Sequence, residues 1–233
     1  MIAILMAAGL GTRMAPLTES VAKPLVKVHG EAMIETIIKG LKERVDHIYV
    51  VVGYKKEQFE SLEEKYPNLT LIENTEFMTI NNISSIHAAR SVMGSDDCFI
   101  CEADLYVSDP SIFQAELDQS CYYGKFVQGH SDDWVFEQDA FGRITRVGKH
   151  GDNLYNMCGV AFFKKDDAAL IRDAIDEAYK HKGEYENLFW DDIVNQQLDK
   201  LELTVHPVKH SQIVEIDSVS ELAVVDPEYY KYN

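Results

Sequence analysis

A glycine-rich loop near the start of the chain combines backbone freedom with positive charge. It reads Met6-Ala-Ala-Gly-Leu-Gly-Thr-Arg13, and Lys23-Pro24 follows a few residues later. Glycines let a backbone approach a polyphosphate closely and point its amides at it. The loop lacks the third glycine of a dinucleotide fingerprint and the Gly-Lys-Ser/Thr of a Walker A loop. With Arg13 and Lys23 as cations, the pattern predicts a nucleoside triphosphate site; a purely structural glycine turn is the alternative.

Two aspartates are candidates for a metal site. Asp104 follows an apolar run at 98–101, and Asp217 comes directly after another at 212–216. Carboxylates at the ends of sheet strands can hold Mg²⁺ against triphosphate oxygens. We therefore expect Mg²⁺ as the cofactor, bound by Asp104 and Asp217. Two unconnected surface carboxylates are the alternative.

Both tryptophans of the chain stand beside carboxylates. Trp134 follows Asp133, Trp190 precedes Asp191, and Glu215 is a further acid near the end of the chain. A quaternary ammonium has no N–H to donate, so aromatic faces and nearby negative charge are what bind it, and tryptophan offers the best face. The pattern predicts a site for a cationic group, unless the two tryptophans are packing residues.

The loop resembles the signature of the sugar-1-phosphate nucleotidyltransferase superfamily, A-A-G-x-G-T-R followed by K-P-L. Later motifs resemble, in order and over nearly the whole chain, those of the bacterial CTP:phosphocholine cytidylyltransferases. These motifs are Asn81-Asn82, Glu102-Ala-Asp-Leu-Tyr106, Asp133-Trp134, Phe189-Trp-Asp191 and Glu215-Ile-Asp-Ser218. The resemblance implies that CTP and phosphocholine are the substrates and that CDP-choline and pyrophosphate are the products.

The resemblance also implies roles for single residues. Catalytic roles are expected for Lys23, Arg13 and Asp104, with Lys23 bridging the α-phosphate and the attacking phosphate. The residues expected to bind nucleotide are Ala7, Ala8, Gly9, Gly11, Thr12, Arg13, Lys23, Asn81, Asn82 and Ser84. Those expected to bind the acceptor are Asp133, Trp134, Trp190, Asp191 and Glu215.

Other acceptors and another class of function stay open. The stretch from Met78 to Ser85 has fewer aromatic residues than the relatives have there, which keeps phosphoethanolamine and 2-aminoethylphosphonate as alternatives. A sugar-1-phosphate is a further alternative, although hydroxyl recognition would not require two tryptophans flanked by acids. A nucleotide-binding module without catalysis is disfavoured, because Lys23, Asp104 and Asp217 are all present.

The elements that must position these motifs alternate regularly before residue 120. Buried strands are predicted at 2–6, 47–52, 69–72 and 98–101, and helices at 32–42, 57–66 and 84–93. This alternation predicts an α/β fold with a Rossmann-like, mostly parallel sheet flanked by helices. In such sheets ligands bind at the carboxyl ends of the strands, where the motifs stand.

After residue 120 the pattern becomes richer in strands. Strands are predicted at 122–129, 134–138, 144–147, 158–163, 203–208 and 212–216, and helices at 166–180 and 188–198, with a hairpin turn at Phe141-Gly142. We expect a single domain over 1–233. Its nucleotide-binding half covers 1–120, and its acceptor-binding half, 121–233, carries a β-rich insertion over the active edge.

Charge and composition limit the partners. The net charge is −17, with 39 acidic and 22 basic residues, which argues against nucleic acid or an anionic membrane surface. No signal peptide or membrane span is visible, so we expect a cytoplasmic protein. The oligomeric state stays open, a homodimer included.

Neither the cysteines nor the histidines suggest a metal site. Cys98 and Cys101 form a C-x-x-C, but in a strand they point to opposite faces, so the four cysteines are expected to be buried structural residues. The eight histidines show no metal-ligand spacing and no catalytic partner.

Overall fold

The structure, a computed structural model, describes residues 1–232. The strands are β1 (Ile2–Ala7), β2 (Lys27–Val28), β3 (Glu31–Ala32), β4 (His47–Val52), β5 (Leu69–Glu73), β6 (Cys98–Glu102), β7 (Leu105–Val107), β8 (Cys121–Gln138), β9 (Ile144–Phe163), β10 (Thr204–Pro207) and β11 (Ile213–Glu215). The α-helices are α1 (Met33–Leu41), α2 (Glu60–Lys65), α3 (Ile83–Ala88), α4 (Lys165–Ala178), α5 (Trp190–Gln196) and α6 (Val219–Val225). Seven strands form the central sheet in the order β10-β8-β9-β6-β1-β4-β5.

The middle of this sheet is parallel and covered on both faces. β1 pairs in parallel with β4 and β6, and β4 with β5. Within β1, Ala3 and Leu5 face a core shared with α1, while Ile4 faces a core shared with α3, α4 and α5. Burial on both faces explains why the strand is a continuous apolar run. The predicted α/β fold with a mostly parallel sheet is confirmed.

The β8–β9 hairpin differs from the four short strands predicted for this region. β8 and β9 are single long strands, and the predicted turn at Phe141-Gly142 joins them. The far half of the hairpin, residues 129–153, folds back toward residues 154–163 of β9. For this reason Val135 pairs with both Gly148 and Asn156. β9 is antiparallel to β6 and runs past its carboxyl end. The folded-back half therefore lies over the end of the parallel strands.

The last part of the chain returns to the same edge of the sheet. β11 pairs antiparallel with β7, and Glu215 stands opposite Leu105. This pairing brings Asp217 beside Asp104. Helix α6 then begins with a capping box in which Ser218 and Glu221 bind each other's backbone N–H groups; the helix was missed, although Ser-x-x-Glu is a signal for a helix start.

Smaller predictions are confirmed or corrected. The four cysteines are free and buried. The helix predicted at 84–93 is shorter, ending at Ala88, and turns follow it. Among the described residues, no helix is both long and apolar enough to cross a bilayer.

Candidate active site

The glycine-rich loop leaves β1 at the edge where the parallel strands end. Gly11 has a φ of 62°, and a Cβ on it would lie 2.8 Å from the Cβ of Lys23. Only glycine fits this position, because a side chain would meet both an unfavourable backbone conformation and a close neighbour. The loop thus packs its backbone directly against Lys23.

Lys23 holds the centre of the site. Its side chain is 9% exposed, and its Nζ donates to Asp104 Oδ2 at 2.7 Å and to Asp217 Oδ1 at 2.6 Å. Burial alone would lower the pKa of Lys23, but the charges and hydrogen bonds of the two aspartates outweigh it and raise the pKa. Arg13 lies 2.9 Å from Asp217 and is mostly exposed. The structure brings these four predicted residues together, with a permanently charged lysine among them.

Carboxylates surround this lysine. Oxygens of Asp104, Glu215 and Asp217 lie within 4.8 Å of one another, and Oδ1 of Asp104 is buried without a hydrogen-bond partner in the described chain. The surrounding protein and the charge of Asp104 raise the pKa of Glu215 to about 8, although its side chain stays open to the cleft. Oxygen ligands at this spacing, one of them unsatisfied, suit a hard divalent cation such as Mg²⁺.

The wall formed by Asn81, Asn82 and Ser84 lines the same cleft. Ser84 is buried, accepts from Asn74 at 2.9 Å and donates to the Asn81 carbonyl at 2.8 Å. Oδ1 of Asn82 accepts from the backbone N–H of Trp190 at 3.0 Å. Most hydrogen-bonding groups of these side chains therefore hold the wall and the start of α5 in place. Few of them remain free to hydrogen-bond to a nucleotide base.

The two tryptophans have different surroundings. Trp134 lines the cleft and meets Phe189 edge to face at 5.4 Å. Trp190 is 3% exposed and stacks on Tyr122 at 5.9 Å inside the core. The structure therefore does not bring Trp190 to the cleft as expected: it starts α5 with its ring turned toward the sheet, and Phe189 takes the cleft-facing position.

The acidic residues expected at the acceptor end do line the cleft. Asp191 is buried, accepts from the Tyr122 hydroxyl at 2.9 Å, and has its pKa raised by burial to about 7. Asp133 is exposed and accepts from Asn156 at 3.2 Å. Together with Glu215 they give the cleft an acidic rim and floor.

Several lining residues were given no site role by the sequence analysis. These are Glu102, Lys125, Asn156, Lys149 and Phe189. The ammonium of Lys149 lies 5.8 Å from the Trp134 ring centre and 5.4 Å from that of Phe189. Phe189 belongs to a motif quoted from the sequence, so its place in the site could have been predicted. Single lysines within long strands have no sequence pattern that predicts a site role.

The cleft as a whole has a volume of about 940 Å³ and runs from the glycine loop to Trp134. This is near the upper end for small-molecule sites, so it can hold a nucleotide and a second small substrate. Another groove of similar volume, between α4 and α5, contains none of the expected site residues.

Comparisons with known proteins identify the family of the chain. Residues 3–143 match the model of the MobA-like NTP transferase domain. The chain is 52% identical over 228 residues to 2-aminoethylphosphonate cytidylyltransferase of Lancefieldella rimae, covering 97% of this chain and 92% of that protein.

Two further comparisons concern Streptococcus pneumoniae. The chain is 33% identical to its choline-phosphate cytidylyltransferase, over 94% of each chain. The solved structure of CTP:phosphocholine cytidylyltransferase from S. pneumoniae superimposes with a TM-score of 0.88 at 30% identity, covering 97% of this chain and 98% of that one. The chain is therefore a nucleotidyltransferase that belongs to the cytidylyltransferases with a MobA-like NTP transferase domain.

Proposed function

We propose that this enzyme transfers the cytidylyl group of CTP to 2-aminoethylphosphonate and releases pyrophosphate. The observation that carries the choice of acceptor is the position of Trp190 in the core. The acceptor end of the cleft thereby presents one tryptophan and several carboxylates. The ammonium of Lys149 already lies over the ring of that tryptophan. A primary ammonium can donate N–H hydrogen bonds to those carboxylates, which a trimethylammonium cannot. The similarity to the L. rimae enzyme supports the same acceptor.

The chemistry follows from positioning and charge. An oxygen of the phosphonate attacks the α-phosphorus of CTP in line, a new P–O bond forms, and the bond to the β-phosphate oxygen breaks. The nucleophile is already anionic, so no base or covalent intermediate is needed. Lys23 stands where the two anionic groups meet and can cancel their repulsion, while Arg13 and the loop amides can hold the departing pyrophosphate.

The carboxylate cluster supplies the metal site of this proposal. Asp104 and Asp217, with Glu215 beside them, would hold Mg²⁺. When bound, the ion would polarise the α-phosphate. Lys23 binds one oxygen of each aspartate. The lysine and the cation would therefore share these two carboxylates as partners. Without the cation, the lysine holds the carboxylates close together.

Phosphocholine, the acceptor expected from the sequence, is the second candidate. The edge-to-face pair of Trp134 and Phe189 in the cleft favours it, because two aromatic faces can bind a quaternary ammonium. The structural match to the S. pneumoniae enzyme is also in its favour.

An acceptor panel separates these candidates. The purified enzyme with CTP and Mg²⁺ would be assayed for pyrophosphate with 2-aminoethylphosphonate, phosphoethanolamine, phosphocholine and glucose-1-phosphate. We expect the highest kcat/KM with 2-aminoethylphosphonate. A higher value with phosphocholine would select the second candidate, and turnover with glucose-1-phosphate alone would exclude both. Replacing CTP by UTP or ATP in the same assay tests the nucleotide, and we expect little turnover with either.

A further inference from the structure

Two His-x-Asp pairs face each other across the bend of the β8–β9 hairpin. They are His130 with Asp132 on β8 and His150 with Asp152 on β9. The strand register places His130 opposite Asp152 and Ser131 opposite Gly151, so each histidine faces the aspartate of the other pair. Sequence spacing alone hid this cluster, because its members become neighbours only through the pairing of the strands.

The side chains converge on Asp132. Its Oδ1 lies 3.3 Å from Nε2 of His130 and 3.1 Å from Nδ1 of His150. Ligand atoms of all three residues lie within 4.8 Å of one another. The side chains are exposed, so small rotations about their side-chain bonds can bring each ligand atom to roughly 2 Å from a bound zinc ion, the distance that zinc coordination requires.

The fourth residue of the cluster orients one of the others. Asp152 Oδ1 lies 2.9 Å from Nδ1 of His130. This contact leaves Nε2 of His130 directed at Asp132. A carboxylate that holds the far nitrogen of a histidine is the arrangement that orients histidine ligands in metal sites.

We propose that His130, Asp132 and His150 bind a first-row transition-metal ion of the Zn²⁺ class, with Asp152 as a positioning residue. Imidazole nitrogens favour such an ion over Mg²⁺, which prefers oxygen ligands. Three protein ligands leave a fourth position to water, and the exposure of the cluster gives water access.

The site lies at the acceptor end of the cleft. Asp132 lines the cleft, and Trp134 pairs in register with Lys149, the neighbour of His150. A bound ion ties together the two strands that carry this aromatic and this lysine. The binding is independent of which acceptor the enzyme uses, so it can fail while the proposed function holds, and the reverse.

Calorimetric titration of the metal-stripped full-length protein with Zn²⁺ in saturating Mg²⁺ tests this site. Saturating Mg²⁺ is added to compete with Zn²⁺ for the carboxylates around Asp104, and the cysteines are buried. We expect one Zn²⁺ per chain. The affinity should fall at least roughly tenfold in His130→Gln and His150→Gln, and roughly 10- to 100-fold in Asp152→Asn. His181→Gln is the matched control, because His181 is also exposed and lies beside a carboxylate, that of Glu177 on α4.

A second measurement needs no variant. Co²⁺ in a four-coordinate site absorbs more strongly in the visible range than octahedral hydrated Co²⁺, and added Zn²⁺ should abolish that signal. The proposal is overturned if the wild type takes up no Zn²⁺ in saturating Mg²⁺, or if His150→Gln, shown by circular dichroism to be folded, binds Zn²⁺ as tightly as the wild type does.

Discussion

Asp104 accepts a hydrogen bond from Lys23 with one carboxylate oxygen, at 2.7 Å, while its other oxygen is buried without a partner in the described chain. An unsatisfied buried carboxylate oxygen is costly and is seldom kept without a role. The lysine and the unsatisfied oxygen thus share one carboxylate, which in the proposed reaction stands where the anionic nucleophile meets the α-phosphate. This pairing leads to the first prediction.

Lys23→Met should lower kcat by roughly 100- to 1,000-fold, the usual effect of removing one charge-stabilising donor. The fold should persist, because the lysine's neighbours are carboxylates that Mg²⁺ can still neutralise. The measurement is steady-state pyrophosphate release, with circular dichroism as the check on folding. Lys56→Met, which removes a lysine paired with Glu73 on the surface, is the control and should keep normal turnover. Unchanged kcat in Lys23→Met would remove the lysine from the mechanism.

The two tryptophans should respond in opposite ways to substitution. Trp134→Ala removes an aromatic face worth about 0.5–2 kcal/mol, so the acceptor KM should rise roughly 2- to 30-fold. The loss of unfolding free energy should be smaller than at Trp190, because Trp134 is only partly buried against the core. Trp190→Ala opens a cavity in the core and should lower the unfolding free energy by about 3–5 kcal/mol. Trp190→Phe keeps most of the packing and should leave the acceptor KM unchanged. A raised acceptor KM in stable Trp190→Phe would put that ring back in the binding site.

Lys149 should control the choice between ammonium groups. Its own ammonium lies over Trp134 and Phe189, the faces that a trimethylammonium needs. Lys149→Met should therefore lower the KM for phosphocholine several-fold, by about the worth of one cation–π contact. Competition assays with both acceptors measure this, with Lys200→Met, at a lysine that lines the groove between α4 and α5, as the control. If the KM for both acceptors rises equally, the lysine binds their shared phosphoryl group instead.

The buried carboxyl of Asp191 should make stability depend on pH. Burial raises its pKa from 3.8 to about 7, so the folded state keeps a proton that the unfolded chain releases near 3.8. Its stabilising contribution is complete below that pH and is lost as the pH rises to about 7, with a slope of up to about 1.4 kcal/mol per pH unit. Asp191→Asn should lack this decline, because an amide does not titrate.

Urea unfolding at several pH values across that range measures the difference. Asp173→Asn, at an exposed carboxylate on α4, should keep the wild-type dependence. Identical pH profiles for Asp191→Asn and the wild type would mean that Asp191 is already ionised in the folded protein at low pH.

The sequence predicted the parts of the fold that depend on local signals. The apolar runs of β1, β4 and β6 fall within one residue of their predicted bounds, because strands buried on both faces need such runs. The edge strand β5 is also found within one residue of its predicted bounds, although it is only partly buried. The glycine loop and Asp104 lie together because β1 and β6, which precede them, end at one edge, and the pairing of β11 with β7 brings Asp217 to the same place. Those placements follow from topology.

What the sequence could not supply depends on side-chain direction and strand register. Trp190 and Phe189 are adjacent, and only the orientation of α5 decides which of them faces the cleft. The turns predicted between the short strands at 122–129 and 134–138 are instead bulges in one bent strand. The same bend creates the histidine cluster and brings Lys149 over Trp134. The spacing of residues along the sequence does not predict this register between the two strands.

The folded-back half of the β8–β9 hairpin has a consequence for how such enzymes diverge. It carries Trp134 and Lys149, whereas the loop and Lys23 stand on separate elements before residue 26. Under the proposed function, substitutions between residues 129 and 153 should therefore alter the acceptor contacts of Trp134 and Lys149 while leaving the glycine-rich loop and Lys23 in place. Exchange of this segment between related enzymes should therefore carry with it the part of the acceptor preference that depends on Trp134 and Lys149.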